Sequence, residues 1–261
     1  MDLQLRGKSA LVTGSTAGIG FAIAKRLAAE GAAVTITGRN QEKLDAAAAE
    51  IGAVGAVSAL LADPATAEGA RTIIAAQPDV DILVNNLGIY EAKAFTDITD
   101  ADWHHLFEVN VLSGVRLSRH YFPRMLERNW GRVIFIASES ALLPPAEMIH
   151  YGMTKTAQLT IARGLAEQTK GTGVTVNSVL PGPTRSEGIV EFIRSVVEHK
   201  DAPEADREVE FFEKLRPLSL IRRLIDADEI GAITAFLASP LAAVTNGAAI
   251  RAEGGIVPTI A

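Results

Sequence analysis

The amino-acid sequence predicts a doubly wound α/β fold: a parallel sheet of about seven strands, covered by helices on both faces. Short apolar runs alternate with longer Ala-rich stretches along the whole chain, the pattern of repeated strand–crossover–strand units. The runs are almost continuously apolar, as strands buried on both faces must be, whereas a half-wet sheet alternates polar and apolar. A glycine-rich turn, Thr13-Gly14-Ser15-Thr16-Ala17-Gly18-Ile19-Gly20, joins the first apolar run to the first helix-like stretch.

The first strand, Ala10–Thr13, ends at that turn, and the Ala/Leu-rich stretch Ile19–Glu30 reads as the first helix. Ala33–Thr37 alternates β-branched residues and forms the second strand, followed by a helix over Gln41–Ile51. Gly55–Leu60 and Ile82–Asn85 bracket a helix at Ala65–Ala76. A long helix over Asp102–Leu126 leads to Arg132–Ser138, the most continuous apolar run. The stretch His150–Lys170 lacks proline and is helical; Val174–Leu180 is the sixth strand, Asp226–Ala238 a helix and Ala248–Arg251 the last strand. Asp226 with Glu229 three residues on has the spacing of a capping box. No linker, repeat or low-complexity tract divides residues 1–261, so one domain is expected. One segment breaks the rhythm, at about 184–218 after Pro181-Gly182-Pro183. It holds two amphipathic stretches, Ile189–Val197 and Val209–Leu215, and its place after a sheet strand is that of a substrate loop or lid.

Chemistry concentrates at two places. The glycine turn leaves backbone N–H groups and the positive end of a helix free to meet a diphosphate, and glycines 14, 18 and 20 remove the Cβ atoms that would obstruct it. Its G-x-x-x-G-x-G spacing differs from the G-x-G-x-x-G dinucleotide fingerprint but works by the same mechanics. No G-x-x-x-x-G-K-[ST] sequence occurs, which disfavours a nucleoside triphosphatase. Further on, Tyr151 and Lys155 are one helical turn apart and leave the same helix face, and Ser138 lies thirteen residues earlier at a strand end. A phenol titrates near pH ~10, and a neighbouring ammonium favours its ionised form, so the pair suits proton exchange with a substrate oxygen.

Composition excludes several classes. Net charge is −6 with no basic run, against nucleic-acid binding. Cysteine is absent, removing disulfides, thiolate nucleophiles and Cys-ligated metal. No uncharged apolar stretch reaches the ~20 residues of a membrane span, and Met1–Arg6 does not read as a signal. A cytoplasmic, non-membrane protein is expected.

These residues resemble the short-chain dehydrogenase/reductase family, in its compact single-domain, 3-oxoacyl-reductase-like branch with a Rossmann-like sheet. The resemblance covers essentially the whole chain and rests on Thr13–Gly20, Asn85-Asn86-Leu87-Gly88, Asn110, Ser138, Tyr151, Lys155 and Pro181-Gly182. It implies a nicotinamide cofactor along the carboxyl edge of the sheet, and NAD(P)-dependent interconversion of a carbonyl and a secondary alcohol. Tyr151 would exchange the proton, and Lys155 would bind the nicotinamide ribose and lower the phenol's pKa. Ser138 would hydrogen-bond the substrate oxygen, and Asn110 would hold a water linking Lys155 to solvent. The implied cofactor contacts are Gly14, Ser15, Thr16, Gly18, Ile19, Gly20, Arg39, Asn40, Asp63, Asn86, Gly88, Tyr151, Lys155, Pro181, Gly182 and Thr184. Structural readings stay open beside these: Asn110 as a bridge in a helix break, Ser138 as a strand-end cap, Asp63 as a helix cap before Pro64.

Cofactor choice turns on the second strand's end, Thr37-Gly38-Arg39-Asn40, which has no carboxylate for a ribose 2′-hydroxyl. Arg39 suits a 2′-phosphate instead, favouring NADP(H), with NAD(H) the alternative. Ala17, where many NADP-preferring relatives are basic, counts against it. The family's Asn-Asn-Ala-Gly reads Asn-Asn-Leu-Gly here, a departure at Leu87. Glu139, Ser140, Leu142, Leu143, Glu147, Met148 and His150 are candidates to line the substrate pocket; Glu139 either recognises a polar group or faces solvent. Trp103, His104 and His105 offer no metal cluster. The family commonly forms tetramers, and Gly247–Gly255 resembles its terminal segment, so a homotetramer is expected, with a dimer as fallback. Two rival readings are a nicotinamide-binding regulatory protein without turnover, and an epimerase or dehydratase using transient oxidation.

Overall fold

The computed structural model describes residues 1–260. Seven strands form one all-parallel sheet in the order β3-β2-β1-β4-β5-β6-β7. They are β1 (Ser9–Val12), β2 (Ala33–Gly38), β3 (Val57–Leu61), β4 (Ile82–Asn85), β5 (Gly131–Ile136), β6 (Val174–Pro181) and β7 (Ala249–Ala252). β1 pairs with β2 on one side and with β4 on the other. The strand order therefore reverses beside β1, and a crevice opens above its carboxyl end, the place where such sheets bind ligands.

Helices α1 (Gly18–Ala29), α2 (Gln41–Gly52) and α9 (Ala227–Ala238) cover one face, and α3 (Ala67–Ala76), α5 (Ser113–Glu127) and α6 (Ile149–Glu167) the other. On the first face Ile23 and Leu27 of α1, Leu44 of α2 and Ile230 of α9 pack on Val12, Val34 and Val84. On the second, Ile73, Leu117, Tyr121 and Ala162 pack on Leu11, Leu83 and Val133. The inner strands β1, β2, β4, β5 and β6 are buried almost throughout, which is why their sequences are so apolar, whereas the edge strands β3 and β7 stay partly exposed.

The long helix expected over Asp102–Leu126 is interrupted. Helix α4 (Asp100–Phe107) gives way to a single π-helical turn, Glu108–Leu112, before α5. The wider turn faces Asn110 inward, where it is 1% exposed and hydrogen-bonded across to another segment, so a tertiary contact overrides local propensity. Helix α4 also starts earlier than expected, because Thr99 and Asp102 form a reciprocal capping box at its head. At α9 the Glu229 carboxylate accepts from the Asp226 N–H at 2.9 Å, as the spacing predicted.

The excursion after β6 folds into α7 (Glu187–Val196), α8 (Glu204–Glu210) and a π-helical turn, Phe211–Leu215. Phe192, Ile193, Val197, Phe211, Phe212 and Leu224 make a small core of their own with Met148. Its two ends are pinned together: Arg185 N–H donates to Ile225 O at 2.8 Å, and Ile225 N–H to Pro183 O at 2.9 Å. The segment is thus a packed subunit of the fold, set over the carboxyl ends of the strands.

Candidate active site

At the glycine turn, Gly14 and Gly18 have φ of +60° and +57°, a left-handed conformation that side chains oppose. Gly20 has ordinary torsions but no room: a Cβ there would lie 2.3 Å from Gly14 O and 2.4 Å from Asn86 Nδ2. Asn86 braces the turn, its Nδ2 donating to Thr13 O at 2.9 Å and Gly14 O at 3.0 Å. Thr13 Oγ1 accepts in return from the N–H groups of Asn86 and Leu87, at 3.0 and 3.1 Å. Ser15 is fully buried, donating to Val12 O at 2.7 Å and accepting from Thr37 N–H at 3.0 Å. Helix α1 is preceded by Ala17, which offers no side-chain cap, so its first N–H groups have no side-chain partner beside the crevice. A bare helix N-terminus beside left-handed glycines fits a diphosphate.

The crevice opens into a cavity of about 820 Å³ that runs from Gly14, Thr16 and Gly18 past Asn86 and Gly88 to Ser138, Tyr151 and Lys155. Pro181, Gly182 and Thr184 form the far wall, and Tyr90, Phe192, Phe211 and Arg216 close it from the excursion side. Most of the residues predicted for the site thus share one cavity. Arg39, Asn40 and Asp63 stand outside its wall, as do the buried Ser15 and Asn110. Asn40 caps α2, accepting from Lys43 N–H at 2.9 Å. Asp63 accepts from Ala65 N–H at 3.0 Å, while Thr66, not Asp63, caps α3.

Helix α6 presents Tyr151 and Lys155 on one face, with Lys155 Nζ 5.6 Å from the Tyr151 ring centre. The ammonium donates to Ile136 O at 2.9 Å and Gln158 Oε1 at 3.3 Å. Burial lowers its pKa to about 8, against the opposing pull of Glu139. Burial and the Glu139 charge push the Tyr151 phenol up, opposed by Ser138. Burial dominates both groups, so the phenol lies above its ordinary value and not below it, contrary to the expectation that Lys155 would lower it. Ser138 Oγ accepts from Ser140 N–H at 3.1 Å and donates to the carboxylate of Glu139.

Asn110 is fully occupied by protein. Its Oδ1 accepts from Ile89 N–H at 2.8 Å, and its Nδ2 donates to Ile89 O at 2.9 Å and Thr154 Oγ1 at 3.0 Å. Its main-chain carbonyl accepts from Gln158 Nε2 at 2.5 Å. Gln158, 2% exposed, links Asn110 to Lys155 and was not singled out from the sequence, although it lies one turn beyond Tyr151-x-x-x-Lys155 on the same helix. Several wall residues were not singled out either, among them Lys43, Tyr90 and Arg216. Lys43 lines the cleft near α1. Tyr90 packs edge-on against Tyr151 at 6.0 Å and Phe192 at 5.7 Å. Arg216 pairs with Glu147 at 3.1 Å and sits 5.3 Å from the Phe211 ring. Of the predicted pocket residues, Glu139, Ser140 and Met148 line the cavity; His150 is buried instead against Trp103, ring to ring at 5.9 Å. Leu142 and Leu143 are partly exposed outside it.

The short chain dehydrogenase profile matches residues 8–194. The chain is 49% identical to the uncharacterized oxidoreductase YvaG of Bacillus subtilis over the full length of both. It is 34% identical to D-beta-hydroxybutyrate dehydrogenase of Cupriavidus necator, over 97% of this chain and 99% of that one. In structure it matches L-sorbose reductase of Gluconobacter frateurii, solved with NADPH and L-sorbose, at a TM-score of 0.91 and 29% identity, with both chains fully covered. With its seven-stranded parallel sheet, its glycine-turn crevice and these full-length relatives, the chain belongs to the short-chain dehydrogenase/reductase family of oxidoreductases.

Proposed function

We propose that this protein is an NADP(H)-preferring oxidoreductase that interconverts a small carbonyl compound and its secondary alcohol. The observation that carries this reading is the convergence of Ser138, Tyr151 and Lys155 at one end of a cavity whose other end is the braced glycine turn. The bound nicotinamide would supply or accept hydride at the substrate carbon. The N–H groups at Gly14–Gly20 and the head of α1 would hold the diphosphate, with Asn86 and Gly88 beside the adenosine ribose. Gly88 lies close to Lys155, with space for a Cβ only 3.3 Å from Nζ, so a side chain there would press on the ammonium. Pro181, Gly182 and Thr184 would border the nicotinamide.

On reduction, Tyr151 donates its phenolic proton to the substrate oxygen as negative charge develops there, and Ser138 supports that oxygen. Lys155, kept cationic below about pH 8, stabilises the phenolate that remains. Asn110 and Gln158 fix Lys155 by closing the space behind it. Tyr90, Phe192 and Phe211 give the substrate end apolar walls, with Arg216 and Glu139 as the charged groups. A cavity of this size and mixture suits a sugar or a short-chain hydroxy compound. The relatives point the same way, being an L-sorbose reductase and a hydroxybutyrate dehydrogenase.

Lys43 lines the cavity, and Arg39, exposed just beyond its wall, would have to swing in beside it to meet a 2′-phosphate. Titration of the protein with NADPH and NADH at one ionic strength tests the preference. NADPH should bind more tightly, and Arg39→Ala should weaken NADPH by about tenfold or more while sparing NADH, the loss of a charge-assisted contact of about 1.5–3 kcal/mol. Equal binding of both cofactors, or equal weakening of both by the substitution, would refute it.

A further inference from the structure

The Ser138 hydroxyl has one proton and two lone pairs, and the structure shows where most of them go. One lone pair accepts from Ser140 N–H at 3.1 Å, and the proton goes to Glu139 Oε2. Both side chains are buried, at 6% exposure each, and what exposure they keep is toward the cavity. A substrate carbonyl oxygen has only lone pairs. It needs a donor, and in this arrangement Ser138 has none left to give.

The conflict disappears when Glu139 carries a proton. A carboxylic acid donates to the remaining lone pair of Ser138 Oγ, and the Ser138 proton is released to turn into the cavity. We propose that Glu139 is a positioning residue that works in its neutral form, setting the Ser138 hydroxyl to donate to the substrate oxygen. When Glu139 ionises it reclaims that proton, and Ser138 faces the cavity as an acceptor. This rests on the reading of Ser138 and Tyr151 given above. No bond is made or broken in the switch; one proton is exchanged between Glu139 and solvent.

The surroundings suit a neutral acid. Complete burial pushes the Glu139 carboxyl up, while the Ser138 hydrogen bond, the Arg216 charge and nearby backbone N–H groups pull it down. From α6, Tyr151 and Lys155 face it, and their own shifts register its charge. Arg216, beyond the π-helical turn, is already paired with Glu147, which leaves it a partial counter-ion. An adjacent residue with no hydrogen-bond role would leave Ser138 a donor at every pH. Glu139 makes the donor conditional.

Two measurements test this. The first is an infrared titration of the free protein, comparing wild type with Glu139→Gln. A protonated carboxyl band absent from the variant should persist above the range in which an ordinary glutamate ionises; its loss with an ordinary glutamate's titration would overturn the proposal. The second is the pH profile of kcat/KM for NADPH-dependent reduction of L-sorbose. In the Glu139→Gln variant the side-chain amide N–H donates to Ser138 at every pH. The part of the alkaline fall that comes from Glu139 ionisation, roughly tenfold per pH unit, should therefore vanish in that variant, leaving only the fall that Lys155 sets. In a Ser138→Ala background the same substitution should remove no such component. A uniform loss at all pH, or an equal shift without Ser138, would assign Glu139 a merely structural role. If Tyr151→Phe retained turnover, the parent reading would fail; a band and profile unaltered by Glu139→Gln would sink this inference alone.

Discussion

Gly18 and Gly20 are glycine for different reasons, and substitution separates them. At Gly18 the torsions are left-handed, but a Cβ would lie 3.6 Å from its nearest neighbour, the Ser186 Cβ. The cost of Gly18→Ala is therefore conformational, about 1–2 kcal/mol, and Gly18→Asn should recover much of it. At Gly20 a Cβ would sit 2.3 Å from Gly14 O and 2.4 Å from Asn86 Nδ2. Something must yield, and the Asn86 amide is the movable partner. Its two hydrogen bonds, to Thr13 O and Gly14 O, contribute about 0.5–1.5 kcal/mol each, and overpacking adds about 1–3 kcal/mol. Gly20→Ala should thus cost about 3 kcal/mol, lowering the melting temperature by about 6–12 °C. It should weaken NADPH as well, since the same amide braces the glycine turn proposed to hold the diphosphate. Thermal melts of Gly20→Ala, Asn86→Ala and the double variant measure the coupling. Asn86→Ala should relieve part of the clash, giving an interaction of about 1 kcal/mol or more. Costs that add within about 0.5 kcal/mol would refute the brace, because uncoupled sites behave that way.

Two further outcomes follow from buried groups. Because the Glu139 pKa is raised in the folded protein, the native state binds its proton more tightly than the unfolded chain. Its stabilising contribution is fully present below the unfolded carboxylate pKa and is lost as pH rises through the folded value. Glu139→Gln should flatten that slope in urea melts at successive pH values; parallel slopes would contradict it. Asn110→Ala removes three side-chain hydrogen bonds and leaves the Ile89 N–H and C=O without the partners they have in the native site. The loss should be about 2–4 kcal/mol, read as a lowered urea midpoint, and a loss below about 1 kcal/mol would show that Asn110 is not what holds the Ile89 segment.

The parts of the site legible in the sequence are those that one segment of backbone can build. The glycine turn is contiguous, and Tyr151 and Lys155 meet because a helix repeats, so neighbours along the chain become neighbours in space. The strands were equally plain, because burial of the inner ones on both faces leaves mostly apolar residues. What escaped depends on distant partners. The π-helical turn at Glu108–Leu112 exists because Asn110 reaches Ile89 and Thr154, contacts that no local pattern encodes. Gln158 looked like one more polar helix residue until the fold placed it between Lys155 and Asn110. Glu139 was ambiguous for the same reason: whether a carboxylate beside Ser138 meets water or interior is decided by the excursion packed above it. Arg39 and Asp63, chosen by motif position, lie beyond the cavity wall, whereas Lys43, on the exposed side of a helix by pattern, lines it.

Single-turnover kinetics of Tyr151→Phe, with cofactor affinity measured on the same preparation, test whether this phenol supplies the substrate proton. The substitution removes one oxygen, the atom assigned to exchange the substrate proton. Cofactor should bind within a few-fold of wild type, and hydride transfer to whichever carbonyl compound the wild type reduces should slow by about 10²–10⁴-fold. Transfer within tenfold of the wild-type rate, with binding intact, would place the proton chemistry elsewhere and contradict the account.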